Sequence, residues 1–125
     1  GNSGNNVLSG GGGIDARTGG LGLDEYRCTL APGATNVDSI TDFSVVDDSI
    51  ALSRTIFAAA GLAGTLQADA FWTGGAAHDA TDRIIYDSGT GNLFYDADGD
   101  GVNAAVQFAQ LSAGLALTNA DFLIL

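Results

Sequence analysis

Residues 1–27, GNSGNNVLSGGGGIDARTGGLGLDEYR, decide how this chain folds. They hold nine of the nineteen glycines and few large apolar side chains, so hydrophobic burial alone cannot organise them. Written in nines, they become GNSGNNVLS, GGGGIDART and GGLGLDEYR. Gly1, Gly10 and Gly19 then coincide, as do Gly4, Gly13 and Gly22, and the sixth position runs Asn6, Asp15, Asp24. A fixed period of this kind marks a repeat architecture. Six residues make a tight turn whose positive-φ positions suit Gly or Asn, and the other three span one short strand. Stacked turns form a narrow solenoid in which each repeat buries little. A hard cation held by backbone carbonyls and the sixth-position carboxylates would supply the missing stabilisation.

Composition agrees with a cation-binding chain. The 125 residues carry 14 Asp and one Glu against four Arg and no Lys, a net charge of -11. Such a surface repels phosphate backbones and anionic membranes, which argues against nucleic acid and membrane partners. Apolar residues make up 46% of the chain, enough for one modest core and too many for disorder. There is no apolar run of transmembrane length and no basic-then-apolar leader pattern. The absence of Met points to a piece of a longer protein.

GGGGID and GGLGLD resemble the GGxGxD nonapeptide of the bacterial repeats-in-toxin (RTX) proteins. VDSITDFSVVDDSIAL, DRIIYDSGTGNLFYDADGDGVNAAVQFAQL and the final DFLIL resemble the C-terminal region that follows those repeats in type I secretion substrates, including the serralysin-type proteases. The resemblance implies a parallel β-roll with calcium bound between turns 18 residues apart. It places Gly1, Ser3 and Asn5 or Asn6 opposite Gly20, Gly22 and Asp24. It gives the turn of Gly10, Gly12 and Asp15 a partner in Asp38. The chain departs from the family pattern at Asn2 and Asn6, which replace a glycine and an aspartate. Arg17 also departs, standing where the family has an inward aliphatic residue and where Leu8 and Tyr26 fit.

The expected architecture is mainly β: residues 1–34 form the end of the roll, and residues 35–125 form an antiparallel cap with one short helix. DSITDF and SIALS read as strands, and SRTIFAAAGLAG reads as a helix near residues 53–60 with a Ser N-cap and a Gly stop. RIIYDS, NLFYDA and AAVQFAQL alternate as an antiparallel meander, with SGTG as a hairpin turn. Tyr86, Leu93, Tyr95, Val106 and Phe108 are the expected face that covers the roll, because a terminal rung left open exposes strand edges.

Other motifs each have two readings. Asp96, Asp98 and Asp100 in DADGDG match the start of an EF-hand loop, but Gln107 replaces the twelfth-position Glu and strands flank the loop, so a plain turn competes with a calcium site. His78, the single His, reads as a solvated loop residue despite the adjacent Asp79. Cys28 reads as a buried or incidental thiol. Phosphate loops lack their Lys. Trp72, beside Phe71, is expected in the small core, with an exposed docking pair as the other reading. Asp121 followed by FLIL resembles the uncleaved type I secretion signal, and it can equally complete a sheet.

These features lead to one expected function: a calcium-binding, non-enzymatic, extracellular module that couples folding to export by an ABC-transporter secretion machine. Its rivals are an adhesion or ligand-binding module, or the non-catalytic end of a secreted hydrolase.

Overall fold

The computed structural model describes residues 2–9, 12–33 and 35–125. The chain is mainly β with mixed sheets, and there is no long helix among the described residues. Its first five strands are β1 (Val7–Ser9), β2 (Ala16–Arg17), β3 (Glu25–Cys28), β4 (Asp38–Ile40) and β5 (Ser49–Leu52). They are delivered alternately to two sheets. In one sheet β1, β3 and β5 lie parallel, with Val7 opposite Glu25 and Glu25 opposite Ser49. In the other β2 lies parallel to β4, with Ala16 opposite Ser39. Two nine-residue units make one circuit, so β1 meets β3 one circuit later, and the longer connections after Cys28 stretch the next circuits.

The remaining strands are β6 (Gly64–Thr65), β7 (Phe71–Thr73), β8 (Ile84–Asp87), β9 (Asn92–Tyr95), β10 (Val106–Gln110) and β11 (Phe122–Ile124). Strands β8, β9 and β10 form the antiparallel meander that their alternation predicts. At its first turn the Gly91 amide returns to the Asp87 carbonyl at 2.7 Å. The meander does not close on itself. Strand β10 runs parallel to β4, β7 is parallel to β8, and β11 is parallel to β5 and antiparallel to β6. The sheet orders are therefore β1-β3-β5-β11-β6 and β2-β4-β10-β9-β8-β7, and each sheet combines strands from residues 7–28 with strands from residues 38–124.

One apolar cluster joins the two sheets. Tyr26, Ile50, Leu52, Phe57, Tyr86, Leu93 and Phe122 are all buried in it. Tyr26 sits between Leu8 and Ile50 in register, as the inward row of the repeats requires. Arg17 is also buried. Its guanidinium donates to the carbonyls of Leu8 and Arg27 at 3.2 and 2.7 Å and pairs with Asp38 at 2.6 Å. The middle rung thus replaces an aliphatic contact with a planar donor that reaches backbone in one sheet and a carboxylate in the other.

Three expectations need correction. Residues 53–60 do not form one helix: the Phe57 amide closes a turn on Ser53, and a separate 3-10 turn spans Ala58–Ala60. Phe57 breaks the helix because its ring is drawn into the core, edge-on to Tyr95 and Phe108 with centroids 5.0 and 5.1 Å away. Val106 is exposed at the first position of β10, where it pairs with Tyr95 at the end of β9, and a bulge between Gln107 and Ala109 turns both Phe108 and Ala109 inward. Trp72 stays outside the core at 37% exposure, and only Phe71 packs inward, against Phe122.

Candidate metal centre

Turns 2–6 and 20–24 stack one circuit apart. The Glu25 amide donates to the Asn6 carbonyl at 2.8 Å, and the Leu23 amide donates to Asn5 Oδ1 at 2.8 Å. The packing leaves no room for side chains on the inner positions. A Cβ on Gly20 would lie 2.6 Å from the Asn2 carbonyl oxygen, and one on Gly22 would lie 2.7 Å from that of Gly4. Both glycines also have positive φ, at 94° and 106°. Ser3 is exposed in the same turn, and Gly1 and Gly10 lie outside the described residues.

Asp24 stands at this seam and is 2% exposed. Its Oδ1 accepts the Asn6 amide at 2.8 Å, while its Oδ2 is buried without a donor. Its own amide donates to Asp48 Oδ1 at 3.0 Å, and Asp48 Oδ2 accepts the Ser44 amide. The other sheet repeats the device, with the Asp15 amide donating to Asp38 Oδ1 at 2.8 Å. Asp15 Oδ2 is again buried without a donor. The second oxygen of Asp38 is held by Arg17, so Asp38 braces the turn with both oxygens occupied. Gly12 is exposed, and a Cβ there would meet only Leu30.

The sequence reading did not single out Asp48 or Asp42. Asp42 accepts from the amides of Gly19 and Gly20 and from the Tyr26 hydroxyl at 3.0, 2.8 and 2.7 Å. Partial burial opposes its charge, but the hydroxyl and the two amides outweigh that and hold its pKa below the usual carboxylate value. Burial first, then the bond to Asp42, pushes the Tyr26 phenol up. A signal for Asp48 existed: like Asp15 and Asp24, it immediately precedes a strand. The longer connections after Cys28 hid that signal from a strict period of nine.

DADGDG forms an open loop between β9 and β10. Asp96 is buried and accepts the Asp98 amide at 3.2 Å, and Asp98 accepts the Asn103 amide at 3.1 Å. Burial, reinforced by Asp98, raises the Asp96 pKa, while the Asn103 amide lowers that of Asp98. Asp100 is exposed, and its amide donates to the Asp79 carbonyl at 3.0 Å. Cys28 is buried, and burial pushes its thiol up to about 11 against the opposing pull of Arg17. At that value it is a protonated core residue at neutral pH.

No family model matches the chain, and no curated protein is detectably similar to it. Among the described residues, no helix is long and apolar enough to cross a membrane.

Proposed function

We propose that residues 2–48 are turns of a calcium-stabilised β-roll, with the later strands as its cap, and that the chain drives calcium-dependent folding and type I secretion of a larger extracellular protein. The observation that carries this reading is the buried, donorless Asp24 Oδ2, which lies against Gly19 in a turn whose Gly20 and Gly22 stack on the Asn2 and Gly4 carbonyls. An anionic acceptor left unpaired in an interior is costly, and a hard oxygen-binding cation removes that cost. Asp24 and Asp15 are the carboxylates that would hold calcium, with backbone oxygens of the stacked turns completing an all-oxygen set. The ion supplies charge neutralisation and cross-linking of turns, and the chain has no catalytic step of its own.

Calcium dependence would couple folding to place. At low calcium the acidic turns repel one another and the chain stays open for export, and at high calcium the folded form is favoured by mass action. In the folded state Phe122 and Ile124 of the DFLIL segment are buried. A transporter that recognises those residues would have to read them before folding, in line with export of an open chain.

Calorimetric calcium titration of chelator-treated protein tests the reading. Saturable binding that restores the β circular dichroism, with one site fewer in Asp24→Asn, is the expected result. A chain equally folded without calcium that binds none overturns it. A second reading, an adhesion or ligand-binding module, is favoured by the exposed indole of Trp72.

A further inference from the structure

A second group of ligating side chains lies away from the glycine turns, in the connection between β7 and β8. Asp82 is 1% exposed there. Its Oδ2 accepts the His78 amide at 2.7 Å and the Asp79 amide at 3.3 Å, and it lies against His78 Nδ1. Its Oδ1 is buried and meets no donor. On the opposite edge of the imidazole, Nε2 is 3.4 Å from Asp79 Oδ2. One ligand atom from each of the three residues lies within 4.8 Å of the others.

The surroundings hold the group in place. The imidazole stacks on Trp72, with centroids 3.6 Å apart and planes at 18°. Thr81 donates to Asp79 Oδ1 through its amide and hydroxyl, at 3.0 and 2.8 Å. The DADGDG loop braces the Asp79 backbone, and a Cβ on Gly99 would come within 2.6 Å of the Asp79 carbonyl oxygen.

We propose that His78, Asp79 and Asp82 bind one divalent first-row transition cation of the zinc class. Imidazole with carboxylates suits such ions, whereas calcium prefers a shell of six to eight oxygens. The pointer to a cation is Asp82: its carboxylate is aimed into the cluster through Oδ2, yet Oδ1 is left bare in the interior, where an uncompensated acceptor is costly. The side chains of His78 and Asp79 are 46% and 48% exposed, which gives the ion access and leaves coordination positions for water. This site does not depend on the calcium reading of the turns.

Trp72 is the only tryptophan and provides the readout. Cobalt(II) bound beside the stacked imidazole quenches indole fluorescence, and diamagnetic zinc displaces it. The titration is run on the whole chain with calcium in excess, so that any calcium-dependent turns stay filled. The expected result is saturable quenching at one cobalt per chain, reversed by zinc. His78→Phe keeps an aromatic stack and removes the ligand, and it should leave only weak, unsaturable quenching. Asp82→Asn should weaken binding by about tenfold or more. Circular dichroism of each variant verifies the fold. Unsaturable quenching of the parent chain, or unchanged saturation in a folded His78→Phe, overturns the proposal.

Discussion

The glycine turns and the antiparallel meander solve the same stacking problem with different chemistry. In residues 2–48, neighbouring turns are joined by carboxylates that accept amides one circuit away, as in Asn6 to Asp24, Asp24 to Asp48 and Asp15 to Asp38. Apolar side chains there often face outward: Ile14 and Leu21 are 69% and 76% exposed. In residues 84–110 the strands are joined by burial, with Ile84, Ile85, Tyr86, Leu93 and Ala109 inaccessible. Each large buried side chain of this kind contributes about 1.5–3 kcal/mol regardless of ionic conditions. Polar stacking has no such reserve. It gathers like charges and leaves oxygens of Asp15 and Asp24 without donors, so on the proposed reading its stability is tied to the cations around it.

Calcium removal should divide the two regions most sharply. With calcium at about 100 times its dissociation constant, binding adds about 2.7 kcal/mol, equivalent to roughly 100-fold in exchange protection. Chelation should therefore release the amides of Glu25 and Asp24 while those of Ile85 and Phe94 keep their protection in hydrogen exchange. Equal loss in both regions would erase the contrast. Phe57→Ala should cost about 3–5 kcal/mol in denaturant unfolding, with the same penalty at high and low calcium. Arg17→Met should cost about 3–5 kcal/mol by leaving Asp38 buried and unpaired. Adding Asp38→Asn should recover part of that loss, and an additive double variant would show that the pair does not act as a unit.

Smaller effects sharpen the turn geometry. Gly22→Ala forces a Cβ toward the Gly4 carbonyl at positive φ and should cost at least about 1–2 kcal/mol, measured by thermal unfolding in calcium. The smallest effect is expected at Asp42, whose folded pKa lies below its ordinary 3.8. Its stabilising contribution is present above that value and lost as the pH falls through the folded pKa. Asp42→Asn should lower stability by less than about 1 kcal/mol at pH 7, because solvent screens the site. The gap from the parent should close on acidification. A constant gap across that range would mean that geometry, rather than charge, sets the role of Asp42.

Much of the mainly β fold was legible where chemistry repeats over short distances. The period of nine marked the turns, the resemblance to the RTX pattern set turn 2–6 opposite turn 20–24, and alternation predicted β8, β9 and β10. Strands β6 and β7 escaped as sheet members because long-range pairing supports them, and two or three residues carry too little pattern, whereas β11 completes a sheet as the DFLIL segment allowed. The helix expected at residues 53–60 failed at Phe57, where the pull of the core outweighed local propensity. At the candidate sites, Asp24 was visible from its place in the repeat. Asp82 was not, because nothing in DATD announces that its carboxylate is buried against His78.

The amide-to-carboxylate ladder has a direction. At each step the amide belongs to the earlier turn and the accepting carboxylate to the later one, 18 to 24 residues further along. Each of these amides therefore stays without its carboxylate until the following turn has been made. Each new turn leaves the ribosome with its acceptor still unmade, so the delay before this region becomes rigid is written into the polarity of its hydrogen bonds.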